Sequence, residues 1–155
     1  MKPLSAIALA ALASVALAGP AAAFSFTPKS TSFTAAGPLT IAKPGGAIHC
    51  SVNAKGAVDS FGKAKLTSLI FTGGDAACFN TAAQSLPWPA LATAAGKGKI
   101  THVVLIGAFT GTCGPGVVHI AVSGAGVWSF ANQALSGGCI LTGHLSTSPP
   151  ITVVP

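Results

Sequence analysis

The chain has 155 residues, half of them hydrophobic and only 6% charged, with a formal net charge of +6. An average soluble domain carries about 25% charged residues. Asp59 and Asp75 are the only carboxylic side chains and arginine is absent, so paired-carboxylate hydrolysis and arginine-led nucleic-acid recognition have almost nothing to be built from.

In chain order, Lys2 precedes an apolar run that ends in Gly19-Pro20-Ala21-Ala22-Ala23. A positive start, an apolar centre and a small-residue A-x-A end predict a secretory signal peptide over residues 1–23, cut after Ala23. The run is too short and too soon interrupted to be read as a membrane span. The mature chain, residues 24–155, is then one exported domain without a transmembrane span. Its four cysteines, Cys50, Cys78, Cys113 and Cys139, all lie in this part, and an even count in an oxidising compartment predicts two disulfides.

Residues 24–41, with Phe24, Phe26 and Phe33, precede the first strongly patterned run and read as a possible extended N-terminal arm. Short alternating runs follow, separated by Gly, Pro and Asn. Strands are expected over residues 30–34, 39–42, 48–53, 57–61, 64–72, 88–93, 99–110, 117–123, 127–131, 139–145 and 151–154. The fold class is all-β, a disulfide-stabilised antiparallel β-sandwich or partly open barrel. Cys50 shares an apolar face with Ile48 and Val52, and Cys139 with Leu141 and Leu145, where structural bridges belong. Cys50 to Cys78 and Cys113 to Cys139 span similar intervals, and Phe71-Thr72-Gly73-Gly74 before Cys78 faintly echoes Leu135-Ser136-Gly137-Gly138 before Cys139. This favours Cys50–Cys78 and Cys113–Cys139 among the three pairings that four cysteines allow.

Strand 99–110 is apolar on both faces, which fits a central strand or one covered by a partner. Gly114-Pro115-Gly116 reads as the reversal after it, pinned by Cys113. That register places His119 near Ala108 and about 20 Å from His102. Trp88 lies between Pro87 and Pro89 at an edge or corner, either capping the core or exposed as a surface contact. Trp128 and Phe130 share a face and read as core plugs.

Little chemistry emerges. The four histidines form no H-x-H or H-x-x-x-H pair and no Cys-x-x-Cys exists, so no metal site is expected. No Gly-x-Ser-x-Gly elbow marks a nucleophile. No catalytic residue and no cofactor is expected, and the protein reads as a non-enzyme. The seven lysines of residues 24–155, without arginine, make a poor nucleic-acid footprint. The weakly charged surface opposes association little, so adhesion or self-assembly is open to it.

An ordered set of residues carries a resemblance over roughly residues 33–154. It comprises Phe71-Thr72-Gly73-Gly74 with Cys78, Leu86-Pro87-Trp88, Cys113-Gly114-Pro115, Ser129-Phe130, Gly138-Cys139-Ile140-Leu141-Thr142-Gly143-His144-Leu145 and Ser148-Pro149. Together with the export signal, this resembles the PraB-like protein activator of alkane oxidation family. The resemblance implies a secreted, non-enzymatic accessory protein at the cell surface or in the biofilm matrix. Its partners would be hydrophobic surfaces or hydrocarbon, and matrix components. It assigns no catalytic residues. The alternative is a fibre or adhesin subunit in which residues 24–41 add as a strand to a neighbour's sheet.

Overall fold

The computed structural model describes residues 23–107 and 109–155; apart from Ala23, the expected signal peptide lies outside them. Eleven strands follow one another: β1 (Ser25–Thr27), β2 (Thr31–Lys43), β3 (Gly46–Val58), β4 (Ala64–Gly74), β5 (Thr81–Gln84), β6 (Trp88–Ala94), β7 (Lys97–Gly107), β8 (Gly111–Val122), β9 (Val127–Leu135), β10 (Cys139–Ser148) and β11 (Thr152–Val154). One 3₁₀ turn, Ala76–Asn80, separates β4 from β5.

The strands alternate inward and outward as their sequences do. On β3, Ile48, Cys50, Val52 and Ala54 are buried, while His49, Ser51, Asn53 and Lys55 are exposed. Hydrogen-bonded order runs β7-β6-β4-β3-β2-β10-β9-β8, and β8 pairs back onto β7 from Lys97↔Ala121 to Gly107↔Gly111. Of the two architectures expected, the chain therefore takes the barrel, closed and antiparallel, with eight strands in the ring. An eight-stranded ring is just wide enough for its own side chains to fill. Apolar side chains fill it and polar ones face out, the reverse of a barrel that crosses a membrane.

The two ends close differently. At one, β1 pairs β11 as a separate two-stranded sheet, and Phe26 and Phe33 pack on Trp128 with ring centroids 5.3 and 5.5 Å apart. Trp128 Nε1 donates to the Ile151 carbonyl at 3.1 Å, so the buried indole keeps its hydrogen bond. At the other end, Cys50–Cys78 ties β3 to the 3₁₀ turn and Cys113–Cys139 ties β8 to β10. The interval-based pairing is the one that forms.

Residues 24–41 are not a free arm. Phe26 and Phe33 are buried in the chain's own core, and β2 lies between β3 and β10. Apolar side chains at every second position give the segment a face that its own barrel buries, leaving nothing to donate.

Several expected breaks are continuous strand. Runs 30–34 and 39–42 merge into β2, and 48–53 and 57–61 into β3, which ends at Val58. Gly37 and Gly56 lie inside these strands because space is short. A Cβ on Gly37 would collide with the His144 carbonyl, and one on Gly56 with the Phe33 ring.

Gly114-Pro115-Gly116 is likewise no reversal. β7 ends at Gly107, which pairs with Gly111 at the start of β8, and Gly114-Pro115 forms a bulge in β8 opposite the step from Val103 to Leu105. Cys113 thus anchors a strand. His102 explains the two-faced look of β7: it takes φ +61° at a second bulge, which moves the inward set from Ile100 to Val103 and Leu105. With the turn moved, His119 pairs with Lys99, three positions from His102, closer than the sequence register predicts.

Candidate functional site

Both carboxylates hold backbone. Asp59 Oδ1 accepts from the Phe61 and Lys63 amides at 2.9 Å each. Asp75 Oδ2 accepts from the His49 amide at 2.8 Å. The two lie beyond opposite ends of the Cys50–Val58 stretch of β3, about 30 Å apart at roughly 3.3 Å per residue. Acid–base pairs across a glycosidic bond stand no more than about 9.5 Å apart, so these carboxylates cannot cooperate on one bond.

The histidines sit outward on strands. His49 Nδ1 meets Thr40 Oγ1 at 3.0 Å, and His102, His119 and His144 are exposed. Among the described residues no three His, Cys, Asp or Glu side chains gather as a metal would require. The four cysteines are consumed in the two bridges and leave no free thiol. Trp88 is buried at the start of β6, its Nε1 donating to the Gln84 carbonyl at 2.7 Å. Of the two roles open to Trp88 in the sequence, the surface contact gives way to the core cap. Pro87 ends the preceding loop, and the indole turns inward, where its area is worth most.

The barrel interior is where an apolar ligand would be sheltered from water. It holds a cavity of about 40 Å³ lined only by apolar side chains, among them Leu66, Leu69, Trp88, Val103 and Phe130. An engineered cavity that binds benzene measures about 150 Å³. The interior is therefore a packed core, too small for a stored hydrocarbon chain.

What remains is the outer surface. Hydroxyls stitch it to its own backbone: Thr67 Oγ1 donates to the Lys55 carbonyl, and Thr142 Oγ1 accepts from the Asn132 amide. Against this weakly charged coat, three large apolar side chains stand out, Phe61 at 79% exposure, Phe79 at 65% and Ile70 at 56%. Phe61 was not singled out by sequence, because run 57–61 read as strand. The signal was present in Asp59-Ser60-Phe61-Gly62, a turn with Asp first and Gly fourth. The Gly62 amide donates to the Asp59 carbonyl at 3.1 Å.

Shallow grooves of about 400 and 370 Å³ run along the outer face of β2, β3 and β4, past Thr34 and Lys55. A third, about 390 Å³, lies between the Asp59–Lys65 stretch and the prolines flanking Trp88. The first two offer hydroxyl, ammonium and small apolar contacts; the third offers the Lys63 and Lys65 ammonium groups, the Asp59 carboxylate and small apolar contacts.

Among known proteins, the family model for the alkane oxidation protein activator PraA/PraB-like matches residues 1–155, the whole chain. No curated protein and no solved structure matches.

Proposed function

The chain belongs to the alkane oxidation protein activator PraA/PraB-like family, and from that premise we propose that it is an exported, non-enzymatic accessory protein working where cells meet hydrocarbon. The reading is that it acts by contact through its outer surface, without turnover. One observation carries it: the apolar cavity inside the barrel measures only about 40 Å³ while Phe61, Phe79 and Ile70 stand in solvent. Apolar matter can then be met only on the outside. Low surface charge lets a protein settle at an apolar boundary at small desolvation cost. Two disulfides suit such a site, since the interface pulls at packing and a cross-linked chain resists unfolding there.

Export is part of the reading. The signal-like residues 1–23 end two positions before β1, so a cut after Ala23 would leave the Phe26 plug intact. Adhesion to cell surfaces or matrix follows from the same weakly charged coat.

The test is interfacial. Purified protein added under a hexadecane layer should lower the interfacial tension more than an inert protein of equal size at equal concentration. A matching curve would refute the reading.

A further inference from the structure

The end of the barrel that carries Phe61 combines three features, and together they name a ligand class. Phe61 is the most exposed large apolar side chain of the described residues, at 79%. It is not on a loose loop. Asp59 Oδ1 accepts two amides of the turn, the Gly62 carbonyl accepts from the Phe26 amide at 2.8 Å, and the Asp59 carbonyl accepts from the Ser30 amide at 3.2 Å. The turn is thus sewn to β1 and to the loop bearing Lys29. Gly62 at φ +78° presses on Ser25, leaving no room for a side chain there. The turn is held firmly, and the phenyl ring it carries is left largely uncovered by the described residues.

Beside it lies the groove of about 390 Å³, with Lys63 and Lys65 among its walls and Ala57, Ala64, Pro87 and Pro89 supplying apolar surface. Asp59 lines it too, with Oδ1 already committed to the turn. Lys29 is exposed on the loop bonded to Asp59. Ammonium groups beside small apolar contacts and a protruding ring match an anionic head on an alkyl chain, not a bare ion or a sugar.

We infer that this end is an anchor for hydrocarbon coated with anionic amphiphile: Phe61 enters the apolar phase while Lys29, Lys63 and Lys65 take the head groups. The inference rests on the interfacial role proposed above and adds the site, the orientation and the charge of the coat. With the barrel axis set on this end, the disulfide end and Phe79 point away from the droplet.

The experiment is flotation of the protein with hexadecane droplets coated in phosphatidylglycerol or in phosphatidylcholine, and with phosphatidylglycerol vesicles free of oil. The protein should float with the anionic droplets. Phe61→Ser should weaken that partition about ten- to a hundredfold, the worth of one buried phenyl ring. Lys63→Gln and Lys65→Gln should each cost about fivefold and flatten the salt dependence. Phe79→Ser should change nothing. All four sites are exposed, so unfolding midpoints should match the parent and separate binding from folding. If the parent binds and Phe61→Ser binds equally well, the anchor is refuted while the interfacial role stands. If the parent floats with no droplet, the interfacial role fails and the anchor with it. Equal partition onto phosphatidylcholine droplets would overturn the anionic coat, and a preference for oil-free vesicles would overturn hydrocarbon as the phase entered.

Discussion

Replacing Phe26 by alanine tests whether the N-terminal segment belongs to its own barrel. The ring is fully buried and packs on Trp128 at 5.3 Å. Its ζ carbon also lies 3.2 Å from where a Cβ on Gly98 would stand. A phenylalanine buries roughly 150–250 Å², which at about 25 cal/mol per Å² gives about 4–6 kcal/mol as an upper bound. Measured Phe→Ala losses in cores run about 3–5 kcal/mol, so about 4 kcal/mol is expected. Urea unfolding followed by tryptophan fluorescence is the assay. With a slope near 2 kcal/mol/M, the midpoint should fall by about 2 M, and size-exclusion chromatography should still show the parent's species. A midpoint shift under about 0.5 M would refute the plug. So would a variant that loses assembly while keeping its stability, because Phe26 would then serve a neighbour.

Other expectations follow from the same architecture. Removing Cys113–Cys139 by paired serine substitutions should lower stability by about 3.5 kcal/mol, as should removing Cys50–Cys78, since the loops span 26 and 28 residues. Alkylation of the oxidised protein before denaturation should find no thiol, and a reactive Cys113 would contradict the bridge. Trp88 and Trp128 are both buried, so acrylamide should quench native fluorescence weakly and unfolded fluorescence strongly; strong native quenching would return Trp88 to the surface. Gly37→Val should prevent native folding, because its side chain meets the His144 carbonyl of the adjacent strand, and circular dichroism matching the parent would refute the close approach.

Much of this protein is decided one strand at a time, and that part is open to reading from sequence. Alternation on β3 and β10 sets which side of Cys50 and Cys139 faces the core, because successive side chains of a strand must point to opposite faces. The scarcity of carboxylates and the absence of arginine limit the chemistry before any fold is known. Similar intervals between cysteines, 28 and 26 positions, favour the pairing that forms. The register of one strand on another is a different matter. Gly37, Gly56 and Gly114-Pro115-Gly116 carry the same letters as turns, yet they lie within strands, needed for close approach or for a bulge. The slip at His102 turns one apolar face into two on paper, since a bulge reverses the phase of everything after it. Closure of the ring depends on β8 meeting β7, a contact that no local pattern encodes. Trp88 and Phe61 show the consequence for the candidate site. Local sequence gives both an aromatic side chain near a chain reversal. Only the curvature of the barrel turns the first inward against Gln84 and leaves the second standing on the Asp59 turn in solvent.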